Sequence, residues 1–220
     1  MKSGRVLDLG SGRREYGEVW ELQKQLVAAR ANDSSPDTLI LVEHEHVVTL
    51  GRRTSVENFR PQGVPVFNVE RGGDATYHGP GQLVGYPILK LEDHDVHRYL
   101  RMLEEVLIRV TRSYGIESER KTGQTGVWAG EKKVASIGVA ISNWVTYHGF
   151  ALNVNPDLSY FRLIRPCGLD PSVITSMIEL TGRPVPMEEV KARVTREFSS
   201  VFGMELAPAA LEAEGSAKIK

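Results

Sequence analysis

The chain has 220 residues, enough for one substantial hydrophobic core, and its 41% hydrophobic and 25% charged composition is that of a soluble globular protein. Twenty-seven Lys and Arg against 28 Asp and Glu leave a net charge of −1, which gives no general attraction for nucleic acid, and no apolar run approaches the roughly 20 residues that span a membrane. The single cysteine, Cys167, excludes an intrachain disulfide and a multi-cysteine zinc site, and with an N-terminus lacking the apolar stretch of a secretory signal the expected location is the cytoplasm.

In chain order, a short strand over residues 5–9 precedes a helix over 15–31. There Tyr16, Val19, Trp20, Gln23, Leu26 and Val27 recur at helical spacing before Asn32-Asp33-Ser34-Ser35-Pro36 ends it. β-rich pieces follow at 38–42, 47–50, 64–69 and 83–89. Between the last two lies Arg71-Gly72-Gly73-Asp74-Ala75-Thr76-Tyr77-His78-Gly79-Pro80-Gly81-Gln82, a loop suited to close approach of backbone and ligand. Its glycines adopt positive φ without a Cβ penalty and expose their N–H groups, Pro80 stiffens the turn, and Arg71 and His78 supply a charge and a hydrogen-bonding ring.

A helix over 95–114 carries the strongest periodicity, with Tyr99, Leu103, Val106, Leu107, Val110 and Tyr114 on one face and Gly115 as terminator. Residues 116–155 read as an antiparallel meander with strands at 125–128, 133–142 and 144–154. A short helix over 172–180 and a longer one over 188–202 close a single domain spanning 1–206, and the tail from residue 207 is expected to be flexible. Strands in runs with interspersed helices predict an α+β fold, a mixed or antiparallel sheet covered by helices.

Cys167 sits in the loop signature Arg165-Pro166-Cys167-Gly168, although a lone cysteine is more often a small buried hydrophobe than a nucleophile. Lys132 and Lys133 are adjacent on a strand and point to opposite faces, and by residue type alone both read as solvated lysines. His44 and His46 have the spacing of a ligand pair on one strand face, but no third ligand is evident nearby, and neither a metal nor a cofactor is expected. His94 and His97, among Glu92, Asp93 and Asp95, read as a solvated helix cap.

Taken in order, the 71–82 segment, Lys133-Val134-Ala135-Ser136-Ile137-Gly138, His148-Gly149-Phe150-Ala151-Leu152-Asn153 and Pro166-Cys167-Gly168 resemble the lipoyl(octanoyl) transferases over about residues 39–176. Glu43-His44-Glu45-His46-Val47 departs from that family, which usually has prolines near positions 45 and 46. The resemblance implies the biotin/lipoate protein ligase fold and transfer of an octanoyl or lipoyl group from acyl carrier protein to a lysine of lipoyl domains. Those acceptors are the lipoyl domains of 2-oxoacid dehydrogenase complexes and the glycine cleavage H protein, and the reaction needs neither ATP nor a metal. It further implies that Cys167 is the nucleophile, carrying an acyl thioester, and that Lys133 is its base. Substrate binding then falls to Arg71, Gly72, Gly73, Tyr77, His78, Gly79, Ala135, Ser136, Ile137, Gly138, His148, Gly149 and Ala151.

The chemistry of these residue types agrees. A cysteine exchanges one thioester for another at little cost, and a thiol with a pKa of about 8.5 needs a nearby base or cation. His78 and His148 are expected to orient and hydrogen-bond the substrate carbonyl or amide, with a papain-like base as the open alternative. An oxyanion site is expected from N–H groups of Gly72-Gly73 or Cys167-Gly168, and an apolar slot from residues 134–139 with Tyr77. Arg52, Arg53, Arg60 and Arg71 form a candidate landing patch for an acidic carrier, and Thr175 and Ser176 either hold the cysteine loop through a hydroxyl or have a plain helical role. Two other functions draw on the same residues: an amidotransferase moving octanoyl or lipoyl groups between lipoyl-domain lysines, and a non-catalytic protein that binds lipoyl domains or acylated carriers.

Overall fold

A computed structural model describes residues 2–54, 63–164 and 171–210. Eight strands form one sheet. From edge to edge they are β11 (Met204–Ala209), β1 (Lys2–Asp8), β2 (Asp37–Val42), β6 (Gln82–Ile88), β10 (Val145–Asn153), β9 (Lys132–Ser142), β8 (Gln124–Ala129) and β7 (Glu119–Lys121). β1 runs parallel to both β2 and β11, and the other neighbours are antiparallel, so the sheet is mixed. The predicted meander is the β7 to β10 half of this sheet. A second sheet places β3 (Val47–Leu50) between β4 (Val66–Asn68) and β5 (Thr76–His78).

The helices are α1 (Tyr16–Ala31), α2 (Val96–Arg112), α3 (Met177–Thr181) and α4 (Met187–Phe202). They cover both faces of the large sheet, which is why β2 and β6 are buried along their whole length. Alternation along β2 sends Ile40 and Val42 to a core shared with Tyr16, Val19 and Leu26 of α1, and Leu39 and Leu41 to a core shared with Leu103 and Leu107 of α2 and Val194 and Phe198 of α4. Each such fully buried side chain stabilises the fold by about 1.5–3 kcal/mol relative to an exposed one.

Local chemistry sets the helix ends. Asp95 caps α2 by accepting from Arg98 N–H at 2.8 Å, and Gly115 takes the left-handed conformation, φ 77°, in the turn that follows. Gly203 ends α4 in the same conformation, φ 62°.

Three short strands and one helix differ from the sequence-based expectation. β5 lies inside the glycine-rich segment, and β7 is a three-residue edge. β11 runs on to Ala209, pairing Ala207, Pro208 and Ala209 with Arg5, Val6 and Leu7, and Pro208 is tolerated because an edge strand leaves one side unpaired. Residues 211–220 lie outside the described residues. Only residues 177–180 of the helix expected over 172–180 are helical as predicted. Pro171–Val173 forms a 3-10 turn, Ile174 bridges to Lys133, and Ser176 caps α3 by accepting from Glu179 N–H at 3.4 Å.

Candidate active site

The sheet opens where β10 meets β6. β10 pairs with β9 from Val145 to Leu152 but with β6 only from Phe150 to Asn153. His148 marks the break: its backbone is left-handed, φ 54°, a conformation that costs a non-glycine residue of order 1–3 kcal/mol. Gln23 of α1 holds it there by accepting from His148 N–H at 2.8 Å. The next residue must be glycine, since a Cβ on Gly149 would stand 2.2 Å from Gly85 O.

The glycine-rich segment closes over this opening. Gly72 N–H donates to Val139 O at 2.9 Å, tying the segment to β9. Arg71 donates to Thr49 O at 2.7 Å, to Thr49 Oγ1 at 2.9 and 3.2 Å, and to Gly72 O at 3.1 Å. The space enclosed between β9, β10 and the segment is a cleft of about 230 Å³.

Most of the expected site residues meet there. Arg71, Gly72, Gly73, His78, Lys133, Ser136, Ile137, Gly138, His148, Gly149 and Ala151 all line the cleft. Tyr77, Gly79 and Ala135 do not. Tyr77 lies on the other face of β5, packed with Phe161, and its hydroxyl is 2.7 Å from His46 Nδ1. Gly79 is backed by that tyrosine, whose oxygen would be 1.9 Å from an added Cβ. Ala135 is fully buried on the α2 side of β9 with Val127 and Leu152. For Tyr77 strand alternation is the cause, since it and His78 are neighbours on β5 and His78 faces the cleft. Of the residues expected to form an apolar slot, Ser136, Ile137, Gly138 and Val139 line the cleft, and Val134, Ala135 and Tyr77 do not. Cys167, with Pro166, Gly168 and Arg60, lies outside the described residues. Arg52 and Arg53 are exposed, whereas Arg71 is buried and faces inward, away from any landing patch.

Lys132 and Lys133 separate as strand geometry requires. Lys132 is exposed and donates to Ser172 O, while Lys133 is 7% exposed and reaches the cleft. Lys133 Nζ lies 5.4 Å from the centre of the Trp128 ring. Lys133 O accepts from Thr175 N–H at 3.0 Å, so the chain returning from residues 165–170 is fastened to β9 at this lysine. Gly126 makes the room: its φ is 132°, and a Cβ there would stand 2.5 Å from Lys133 Cε. Its N–H donates at 3.1 Å to Glu104, a buried carboxylate of α2 that also pairs with Arg101 and Arg120 at 2.8 and 3.3 Å. Neither Gly126 nor Glu104 is singled out by sequence reasoning; a lone glycine within a strand was the available signal of a close approach.

The imidazoles behind the cleft are neutral at pH 7. Burial pushes His78 down to about 3, with His44 and Arg71 adding to the effect. Burial also lowers His148 to about 4, opposed by Glu70, whose carboxylate lies 3.4 Å from His148 Nε2. His44, again by burial, falls to about 4 and sits between Arg14 O at 3.1 Å and the Tyr86 hydroxyl at 2.8 Å. His44 and His46 turn to different partners and do not form the shared ligand face their spacing suggested. Tyr16, its hydroxyl pKa raised above the ordinary phenol range by burial, lies 3.5 Å from His148 Nδ1.

No helix among the described residues is long and apolar enough to cross a membrane. The chain is 50% identical over 208 residues to an octanoyltransferase of Solibacter usitatus, covering 90% of this chain and 94% of that one. It is 48% identical over 215 residues to an octanoyltransferase of Gloeobacter violaceus, covering 96% of each. The bipartite lipoate protein ligase of Thermoplasma acidophilum superposes with a TM-score of 0.73 at 18% identity, covering 97% of this chain and 89% of that one. That likeness establishes the fold, the mixed sheet and flanking helices of lipoate protein ligases. Residues 15–199 match the lipoyl protein ligase A/B catalytic domain, and the chain belongs to that family.

Proposed function

We propose that this protein is a cytoplasmic octanoyltransferase of lipoate biosynthesis that moves an octanoyl group from acyl carrier protein to a lipoyl-domain lysine through a thioester on Cys167. The observation that carries the proposal is the meeting at Lys133 of the cleft and the chain returning from residues 165–170, fastened by Thr175 N–H to Lys133 O at 3.0 Å. The names of the close relatives support the acyl group. Lys133 is 7% exposed and stands at the cleft wall, where a base would act, which favours catalysis over a binding module.

In the first half-reaction the Cys167 thiol attacks the octanoyl thioester. Lys133 takes the thiol proton and returns it to the departing carrier thiol. In the second, the acceptor lysine amine attacks the acyl-cysteine, the C–N bond forms as the C–S bond breaks, and Lys133 receives the amine proton. The oxyanion of each tetrahedral intermediate needs donors. Gly72 N–H is committed to Val139 O, whereas Gly73 N–H has no acceptor among the described residues and borders the cleft. Gly73 N–H is therefore the donor we assign, and losing such a group costs a factor of about 100 to 1,000 in rate.

Intact-protein mass after mixing with octanoyl-acyl carrier protein tests the proposal. Wild type is expected to gain one octanoyl group and pass it to an added apo lipoyl domain. Cys167→Ala is expected to gain none, and Lys133→Ala to acylate about 100-fold or more slowly. An adduct that persists in Cys167→Ala names a different nucleophile, and absence of any adduct or modified domain removes the transferase reading.

A further inference from the structure

Behind the cleft runs a chain of buried amides whose orientation is forced from one end. Asn153, the last residue of β10, donates from Nδ2 to Thr175 O at 2.9 Å. A backbone carbonyl can only accept, so the Asn153 amide cannot be turned round and its Oδ1 must face Gln82. Gln82 then has to present Nε2, which donates to Asn153 Oδ1 at 2.9 Å and to a second carbonyl, Tyr77 O, at 3.3 Å. With Nε2 fixed by two acceptors, Gln82 Oε1 is left toward His78 Nδ1 at 2.7 Å. An amide oxygen accepts only, so His78 Nδ1 must carry the hydrogen.

The proton on His78 is thus placed by a backbone carbonyl through two intervening side chains, Gln82 and Asn153. Nε2, the remaining ring nitrogen of a residue that lines the cleft, has no hydrogen-bond partner among the described residues. A neutral imidazole protonated on Nδ1 offers a lone pair at Nε2 and no N–H there. It cannot donate to a thioester carbonyl or to an oxyanion from that atom.

Resting on the transferase reading above, we infer that His78 receives an N–H of the incoming acceptor amine at Nε2, and that Gln82 and Asn153 are positioning residues that fix His78 in this tautomer. One amine hydrogen is held by His78 while the nitrogen lone pair points at the acyl carbon. The proton released as the C–N bond forms and the C–S bond breaks passes to Lys133. Burial, which holds the ring pKa far below 7, makes His78 an acceptor of a hydrogen bond and a poor acceptor of the proton itself. The same amide chain ends on Thr175, whose N–H reaches Lys133 O, so the amine-holding ring and the base share one rigid support.

Long-range 15N–1H spectra of histidine-labelled protein, with His78 assigned by its loss in His78→Gln, test the inference without relying on activity. Wild type is expected to show a single neutral form protonated on Nδ1. In Asn153→Leu, where Gln82 keeps only the longer 3.3 Å contact to Tyr77 O and reversal is no longer opposed by Asn153, a mixture of tautomers is expected. There the second half-reaction, followed from preformed acyl-enzyme, should slow 10- to 100-fold at unchanged carrier KM. A His78 protonated on Nε2, or on both nitrogens at pH 7, overturns the assignment, and an unchanged tautomer in Asn153→Leu removes Asn153 from the positioning role. If that variant fails to fold, the wild-type spectrum alone still decides the tautomer. A wild type with the Nδ1–H form that transfers no octanoyl group would overturn the transferase reading and the amine contact built on it, leaving the tautomer assignment standing.

Discussion

A methyl group at residue 126 would compete with Lys133 for the same space, since a Cβ there meets Lys133 Cε at 2.5 Å and Ala135 O at 2.6 Å. Gly126→Ala is expected to destabilise the fold by about 1–3 kcal/mol, because φ 132° is strained for any residue with a Cβ. It should also lower the first-order acylation rate more than it raises carrier KM, as single-turnover kinetics beside a urea titration would show. A rate unaltered despite lost stability would mean that Lys133 is not held by this contact. At this scale the sequence speaks through residue type. Four glycines, an arginine and a histidine in twelve positions suggested a loop suited to close approach of a ligand, and Arg71, Gly72, Gly73 and His78 line the cleft. Gln82 and Asn153 were not legible as a pair, because 71 residues separate two amides whose orientation is set only where their strands meet.

Strands and helices long enough to repeat a period were legible, and those that are not were missed. α2 shows its core stripe over 17 residues, whereas β5 and β7 have three residues each, too few to reveal a period of two. β9 presents a different difficulty: residues 133–135 are all buried, so no polar alternation tells which side chains face the site. That is why Ala135 was expected in the acyl slot and lies instead beneath α2. Ala135→Leu is therefore expected to overpack the α2 side, costing about 1–3 kcal/mol, while leaving the preferred acyl chain length unaltered. Thermal unfolding and a series of six-, eight- and ten-carbon donors separate the two outcomes, and a shift toward shorter chains would return Ala135 to the slot.

The whole molecule carries an acid sensitivity that no single element shows. His44, His78 and His148 are buried with pKa values lowered to about 4, 3 and 4, while in the unfolded chain each returns to about 6.5. Above pH 6.5 all three are neutral in both states and the fold has its full stability. Below it the unfolded state binds protons that the folded state refuses, so each ring removes about 1.4 kcal/mol per pH unit until its folded pKa is reached. Urea midpoints should fall steeply between pH 6.5 and 5, and less steeply in His44→Gln; a flat profile over that window would contradict the neutral assignment. The parallel pairing of β11 with β1 has a consequence of timing. β1 is synthesised before every other described element, yet the partner for its outer edge, beginning at Met204 opposite Lys2, is synthesised after all of them. Until then β1 presents a row of unpaired N–H and C=O groups to any neighbouring nascent chain. A nascent chain open to edge-to-edge association on this side thus already encodes its cleft and both helical layers and lacks one six-residue strand.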